Sequence, residues 1–194
     1  MEFKNFLSES SLSRIWKLTK EHDSGTISAF RYAKNCGEGE LFSKDENKKN
    51  SAKLKALLLS NGYGVTKIQG VYIENYGTDK AVEVHEESYI VIDIKNSGNL
   101  KKDLKKLGLL FEQDSITYST KEGVYYLIGT NKCPNGYPGY NKEIILGKPL
   151  FGKDGEFHSK VNGRPFVFKK ADEFVQLSDY SVTEIRSIKE LTKD

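Results

Sequence analysis

The spacing of apolar positions along the chain predicts three amphipathic helices. Apolar residues recur at intervals of three and four, with polar residues between them, in residues 8–21, 50–61 and 99–111. A serine can cap the first helix, and Asn50 or Ser51 can cap the second. The apolar stripes consist of Leu12, Ile15, Trp16 and Leu18, then Leu54, Leu57 and Leu58, then Leu100, Leu104, Leu107 and Phe111.

Five segments have the composition of strands, because β-branched and aromatic residues alternate or cluster in them. They are residues 26–32, 65–75, 88–94, 115–120 and 123–129. Strands and helices interleave without a strict strand–helix–strand repeat. The predicted fold class is therefore α+β, with a mostly antiparallel sheet, helices on one face, a C-terminal β-hairpin arm and a short terminal helix.

The character of the chain changes at Asn131. Residues 131–143 hold prolines, glycines and tyrosines in the manner of a structured loop, and Asp-Gly and Asn-Gly pairs then mark two β-turns. Two units are predicted, an α+β core at residues 1–130 and a loop, hairpin arm and helix at residues 131–194 packed on the core.

Composition limits the classes of partner. The chain has 30 basic and 27 acidic residues, and its net charge of +3 is too small to attract nucleic acid or a membrane over a distance. Cys36 and Cys133 belong to no Cys-x-x-Cys pair, and they are predicted to be free thiols in a reducing compartment. The absence of a signal sequence or long apolar run favours a protein of the host cytoplasm or a virion, not one secreted by a signal peptide.

One acidic cluster offers candidate chemistry. His85-Glu86 begins the zinc-protease pattern His-Glu-x-x-His, but position 89 is tyrosine, so that pattern fails. On a strand, Asp93 and Lys95 share a face. With Glu74 or Glu83 nearby, they resemble the carboxylate and lysine set of metal-dependent nucleases. The alternative is a solvent-exposed pair at a strand end.

The loop after Asn131 is the predicted docking surface. Tyr137 and Tyr140 offer large rigid rings beside Lys132 and Lys142, and Arg164 follows in the hairpin arm. The predicted partner is a phage structural or host protein. Nucleic acid is the weaker candidate, and no membrane, metal or cofactor is predicted.

Short motifs between residues 26 and 130 resemble an uncharacterised domain family of bacteria and tailed phages. They include TISAFR, NSAKLKALLLSNGYG, GVYIE, EESYIV and LKKLGLLFEQDSITY. The resemblance implies a compact accessory domain of phage type, and it implies no reaction. Carried over residue by residue, it selects Asn50, Glu74, Glu87, Ser88 and Gln113, while Glu112 departs from the family's usual glycine.

These observations predict a phage-encoded accessory protein that acts by binding, either associated with the virion capsid or tail or docked on a host factor. The alternative is a metal-dependent nuclease or a nucleotide-acting anti-defence enzyme built on Glu74, Glu83, Asp93 and Lys95. The sequence leans toward the protein not being an enzyme.

Overall fold

The computed structural model of the protein describes residues 12–74, 82–121, 123–134, 136–147, 149–151, 157–161 and 164–168. Three α-helices and nine strands lie in this part of the chain. The helices are α1 (Leu12–Glu21), α2 (Lys44–Ser60) and α3 (Leu100–Leu110). The strands are β1 (Ser24–Ser28), β2 (Gly64–Glu74), β3 (Val82–Ile92), β4 (Ser115–Ser119), β5 (Tyr125–Gly129), β6 (Glu143–Gly147), β7 (Pro149–Phe151), β8 (Phe157–Val161) and β9 (Arg164–Phe168).

The strands form one sheet in the order β6-β5-β4-β1-β3-β2-β8-β9-β7, and every described pairing is antiparallel. The predicted α+β class with a mostly antiparallel sheet is confirmed. β1 is an interior strand, the fourth of the nine, and lies between β3 and β4. Residues that are distant in sequence therefore meet on the three adjacent middle strands β3, β1 and β4.

The two faces of these middle strands differ in chemistry. Ile27, Tyr89, Val91 and Ile116 point to one face, where α2 and α3 cover them with buried leucines; we call this the core face. Leu54, Leu58, Leu100 and Leu104 are fully buried there. Two of the three described helices therefore share one face, as the sequence predicts, and α1 is the exception.

The first helix packs on the opposite face. Ile15 of α1 contacts Ile68, Ile90 and Ile92, which alternate with the core-face residues of β2 and β3. The helix covers only the end of β3 near Ile92. The remainder of that face carries polar residues, and we call it the cavity face.

Two glycines allow α3 to approach the sheet closely. A Cβ atom added at Gly25 would collide with the Thr117 carbonyl oxygen and with Leu104, and one added at Gly108 would lie 2.7 to 2.8 Å from Thr130 side-chain atoms. A glycine at such a position, whether Gly25 in β1 or Gly108 in α3, allows two elements to approach closely. α3 therefore packs closely against β1 and the end of β5.

The second helix begins earlier than the sequence predicts. Ser43 accepts a hydrogen bond from the Glu46 backbone N–H, while the Glu46 carboxylate accepts from the Ser43 backbone N–H. This reciprocal capping box starts α2 at Lys44, six residues before Asn50. The prediction that Asn50 or Ser51 caps this helix is therefore wrong.

The predicted hairpin arm extends the main sheet. β8 pairs with β2 from Gln69↔Lys160 to Tyr72↔Phe157, and β9 then pairs with both β8 and β7. The predicted terminal helix lies outside the described residues. The division into units at residues 1–130 and 131–194 stays a prediction.

Cys36 and Cys133 form a disulfide, so the prediction of two free thiols is wrong. Their Cα atoms are 5.4 Å apart although 97 positions separate them in the chain. The bond joins the segment after β1 to the loop after β5, a proximity that the spacing of two lone cysteines cannot reveal.

No helix in the described ranges is long and apolar enough to cross a membrane.

Candidate functional site

A cavity of about 660 Å³ opens on the cavity face of β1, β3 and β4. This volume lies within the range usual for small-molecule sites, about 300 to 1,000 Å³. The floor consists of strand residues, and the wall consists of the segments that follow β1 and precede β4. The strand residues are Thr26, Ile27, Ser28, Glu86, Ser88, Ser115, Ile116, Thr117 and Leu127, and the wall residues are Phe30, Arg31, Tyr32, Ala33, Cys36, Gln113 and Asp114.

The floor is polar because every second residue on three adjacent strands carries a hydroxyl or carboxyl group. Thr26 and Thr117 lie opposite each other in the ladder, and their hydroxyl oxygens are 2.8 Å apart. The Thr117 hydroxyl also accepts a hydrogen bond from the Thr26 backbone N–H at 2.8 Å. Ser28 lies opposite Ser88 in the ladder, and its hydroxyl donates to the Glu87 carbonyl oxygen and accepts from the Phe30 N–H, both at 2.9 Å. The hydroxyls are therefore fixed by the sheet itself.

Glu86 is the acidic side chain of this floor. It lies on β3 opposite Gly70, which carries no side chain beside it. Burial raises the pKa of the Glu86 carboxyl, the neighbouring Ser28 hydroxyl offsets part of that rise, and the negative charge of Asp114 adds to it. A carboxylate here is poorly solvated, and a cationic ligand would stabilise it.

The wall begins with Phe30 and Arg31, whose backbone is held in place by amide side chains. Asn47 of α2 accepts from the Arg31 N–H and donates to the Arg31 carbonyl, both at 2.9 Å. Gln113 donates to the Phe30 carbonyl at 3.1 Å and to the Phe111 carbonyl at 3.0 Å. Both amide residues are buried, so this part of the wall has one defined position.

The Arg31 guanidinium points at a cluster of acceptors. Its Nη1 donates to the Glu112 carbonyl oxygen and to Asp114 Oδ1, the latter at 3.1 Å. The side chain of Arg31 is 13% exposed, while that of Asp114 is 51% exposed. A largely buried positive charge thus sits in the wall of the cavity whose floor holds Glu86.

Two aromatic residues complete the wall. Phe30 is partly buried, and Tyr32 at the rim is 74% exposed. An exposed aromatic ring beside a cavity is suited to stacking on a flat ring or to contacting a cation. The site therefore combines a buried carboxyl, an arginine, hydroxyls and aromatic faces.

The predicted pairing of Asp93 and Lys95 does not occur. β3 ends at Ile92, so these two residues lie in the following turn rather than on a strand. Asp93 is 1% exposed and accepts hydrogen bonds from the Ser97 hydroxyl and the Gly98 N–H, whereas Lys95 is exposed. Asp93 shapes the turn before α3.

Glu74 and Glu83 lie far from Asp93. Glu83 pairs with Ile73 and Glu74 with Val82 at the opposite end of the β2–β3 ladder from Ile92. Glu83 and Ile92 lie nine steps apart along β3, so their Cα atoms are about 30 Å apart at the usual rise per residue. The described side chains contain no group of three histidine, cysteine, aspartate or glutamate residues that could hold a metal ion. The nuclease site is therefore not assembled.

The residues selected by the family resemblance divide between the two faces. Ser88 and Gln113 line the cavity. Glu87 points to the core face, where it pairs with Lys67 and accepts from the Tyr89 hydroxyl at 2.8 Å. Asn50 lies on α2, and the side chain of Glu74 is outside the described set. Roles for these residues remain predictions.

The predicted docking loop lies beside the cavity wall, to which the disulfide joins it. Tyr137 is 66% exposed and Tyr140 43% exposed. Lys132 Nζ lies 5.2 Å from the centre of the Tyr140 ring, and Lys142 is exposed. Arg164 begins β9, and its side chain is outside the described set. Binding by this loop stays a prediction.

Sequence reasoning missed the cavity floor. The sequence does contain a signal, because polar and apolar residues alternate in three segments. Thr26 and Ser28 flank Ile27, and Ser115 and Thr117 flank Ile116. Glu86 and Ser88 lie three residues and one residue before Tyr89, so they point to the opposite face from it. Hydroxyl and carboxyl residues on the alternate positions of central strands indicate that one face is not simple core. Glu86 was considered only as part of a metalloprotease motif.

A family model described as the S-adenosylmethionine lyase family matches residues 25–171. The match covers most of the chain and every residue that lines the cavity. The protein belongs to this family. A search of curated proteins finds no match.

This membership corrects two sequence-based interpretations. The resemblance over residues 26–130 falls within the matched range, but the family is named for an enzyme activity and is not uncharacterised. The prediction of a non-enzymatic, virion-associated accessory protein is wrong, and nothing in the comparison points to a phage. The alternative hypothesis of an enzyme agrees better with the family than the binding hypothesis does, but the family is named for a lyase and not for a nuclease.

Proposed function

We propose that this member of the S-adenosylmethionine lyase family cleaves S-adenosylmethionine in the cavity on the cavity face. The observation that carries the proposal is the position of Glu86, a poorly solvated carboxyl on the floor of a small-molecule cavity that lies entirely inside the family match. The chemistry of the substrate and the chemistry of the cavity are complementary in three ways.

The first is charge. S-adenosylmethionine carries a sulfonium cation, which has no N–H or O–H to donate and is recognised through charge and through contact with aromatic faces. Glu86 supplies a negative charge in a region of low solvation, where attraction to a cation is stronger than in water. Binding of the cation would also favour the ionised form of Glu86.

The second is shape and stacking. The adenine base is flat, and Tyr32 and Phe30 at the wall offer rings against which it can stack. The hydroxyls of Thr26, Ser28 and Thr117 can exchange hydrogen bonds with the ribose. Arg31 supplies a positive charge for the carboxylate of the methionine moiety.

The third is the reaction. A lyase breaks the substrate without adding water across the broken bond. When a C–S bond of the sulfonium breaks, both electrons of the bond go to sulfur and a neutral thioether leaves. The carbon gains a new bond within the substrate, either to the substrate's own carboxylate oxygen or, with loss of a proton from the neighbouring carbon, as a C=C bond. The charge on sulfur disappears in that step, so the protein must hold the substrate in a reactive conformation and keep competing water out. A walled cavity on a rigid sheet meets both needs.

The proposed substrate is made inside cells, so an enzyme of this kind would work in the cytoplasm. No comparison supports a location in a virion.

The test is incubation of the purified protein with S-adenosylmethionine, followed by separation and mass measurement of the products. Methylthioadenosine together with a four-carbon product would show cleavage between sulfur and the amino-acid chain. Methionine together with an adenosine derivative would show cleavage on the ribose side. Unchanged substrate after prolonged incubation with folded protein would reject the proposal.

A further inference from the structure

Residues of the cavity wall belong to a closed ring of hydrogen bonds and covalent bonds that includes the disulfide. The segment from Phe30 to Phe42 leaves the sheet and folds back on itself, held by hydrogen bonds from the Phe42 N–H to the Tyr32 carbonyl and from the Lys34 N–H to the Glu40 carbonyl. We call it the wall loop. Five of its residues line the cavity: Phe30, Arg31, Tyr32, Ala33 and Cys36.

The tip of the wall loop is held in an unfavourable backbone conformation. Asn35 has φ of 49° and Cys36 has φ of 60°, and neither is glycine. Consecutive non-glycine residues in the left-handed region persist only where surrounding bonds hold them. At this tip the disulfide from Cys36 to Cys133 is such a bond.

Asn131 connects the other end of the disulfide to Arg31. The Cys133 N–H donates to Asn131 Oδ1 at 3.1 Å. Asn131 Nδ2 donates to Asp114 Oδ1 and, at 3.3 Å, to the Glu112 carbonyl oxygen. These are the same two oxygen atoms that accept from Arg31 Nη1. Asn131 is 4% exposed, so its amide has little freedom to find other partners.

We propose that Asn131 and the Cys36–Cys133 disulfide are positioning elements for Arg31 and the wall loop, so that reduction of the disulfide weakens substrate binding in this cavity. This inference rests on the proposed function. The ring runs from Arg31 to Asp114, Asn131, Cys133 and Cys36, and returns along the chain to Arg31. When the disulfide is broken, the tip of the wall loop and the Arg31 side chain, which we assign to the substrate carboxylate, both lose a constraint on their positions.

Reduction would be carried out by a dithiol of the kind that keeps cytoplasmic thiols reduced. The S–S bond breaks, two electrons and two protons pass from the dithiol to Cys36 and Cys133, and the dithiol becomes a disulfide. An enzyme working in the cytoplasm would then bind its substrate more weakly when the dithiol pool is reduced and more tightly when it is oxidised.

The experiment compares the oxidised full-length chain with the same chain treated with dithiothreitol. We expect the KM for S-adenosylmethionine to rise several-fold on reduction while kcat changes less than about twofold, because positioning acts on binding. Asn131→Ala in the oxidised chain should show the same division between KM and kcat. The double variant Cys36→Ser, Cys133→Ser should resemble the reduced chain and should not respond to dithiothreitol.

A second readout does not depend on turnover. Hydrogen exchange at the Glu38 and Gly39 amides, which donate within the tip of the wall loop, should become faster on reduction. Exchange at Val91, a fully buried residue of β3 paired on both sides by β1 and β2, should not change. An unchanged KM, a fall in kcat alone, or unchanged exchange at the tip would overturn the inference. Absence of turnover in both redox states would instead reject the proposed function, and the exchange measurement would still decide whether the disulfide holds the wall loop.

Discussion

The core face and the cavity face of the same three strands differ in what they bury. On the core face, Ile27, Tyr89 and Ile116 pack against leucines of α2 and α3. A residue next to each of these in the chain, Ser28, Ser88 and Thr117 respectively, lines a cavity. The strands are common to both, so the difference lies only in the alternate side chains. The core face stabilises the fold, and the cavity face is available for binding.

Glu86 and Glu87 are adjacent in the chain, but their side chains lie on the two different faces. Glu86 faces the cavity, and burial together with the charge of Asp114 raises its pKa. Glu87 faces the other way; burial alone would raise its pKa, but hydrogen bonds from Lys67 and Tyr89 outweigh burial and lower it. Glu86 has no cationic partner among its described contacts, whereas Glu87 forms an ion pair with Lys67. Substitutions at these positions should separate function from stability.

The largest effect is expected from Glu86→Gln. The amide keeps the size of the side chain but removes the charge that we assign to the sulfonium. Breaking a buried charge pair costs about 3 kcal/mol or more, which corresponds to a loss on the order of 100-fold in kcat/KM. Steady-state kinetics with S-adenosylmethionine will measure it, and a thermal melt should show no loss of stability. A variant with nearly normal kcat/KM would exclude Glu86 from the site.

The core face is tested by Leu104→Ala. Leu104 is fully buried between α3 and the sheet beside Gly25. Truncation of such a leucine costs about 2 to 5 kcal/mol of unfolding free energy, through lost burial and the cavity left behind. Denaturant titration will measure the loss. At a temperature where the variant is fully folded, its KM should stay close to that of the unmodified chain, and a large change in KM would show that the two faces are not independent.

A pH series should move activity and stability in opposite directions. Between the ordinary pKa of glutamate and the raised pKa of Glu86, the folded chain retains a proton that the unfolded chain has lost. The contribution of this group to stability therefore falls as pH rises through that window. Ionised Glu86 binds the cation, so kcat/KM should rise through the same window.

Glu86→Gln is the control for the pH series, because it should remove both trends. Asp114 and Arg31, the charged residues of the wall, are unchanged in that variant. Parallel rather than opposite changes in activity and stability would contradict the assignment of the window to Glu86.

The smallest effect is expected from Glu87→Gln. The change removes a partly exposed ion pair with Lys67, and such pairs contribute about 0 to 1 kcal/mol. The amide can still accept from the Tyr89 hydroxyl. Unfolding free energy should fall slightly, and kcat/KM should stay within about threefold. A loss of activity comparable to that of Glu86→Gln would mean that the direction of the side chain does not decide function.

The sequence was sufficient for the fold class because each helix carries its own apolar stripe, as in Leu100, Leu104 and Leu107 of α3. The start of α2 was missed because the capping box at Ser43 and Glu46 precedes the apolar stripe by two turns. The site was missed for a different reason. Its residues come from segments up to about 100 positions apart, and the pairings of β1 with β3 and β4 and of β4 with β5 bring them together.

The disulfide and the false nuclease site illustrate the same limit. Asp93 and Lys95 are near in sequence but both lie beyond the end of β3, so they share no strand face, whereas Cys36 and Cys133 are distant in sequence but bonded. Proximity in the chain predicted a site that the fold does not form. Register and strand order decide which side chains meet, and neither follows from local pattern.

The most direct test of the account is a comparison of two ligands that differ in charge at the position of the sulfur. S-adenosylhomocysteine is neutral there, and an amine analogue of S-adenosylmethionine is positively charged and has no C–S bond to break at that position. Titration calorimetry of both ligands with the unmodified chain and with Glu86→Gln gives four dissociation constants. We predict that the unmodified chain binds the charged analogue at least about tenfold more tightly, a difference of about 1.4 kcal/mol, and that Glu86→Gln binds the two almost equally. The same ratio in both proteins would contradict the assignment of Glu86 as the group that recognises the cation.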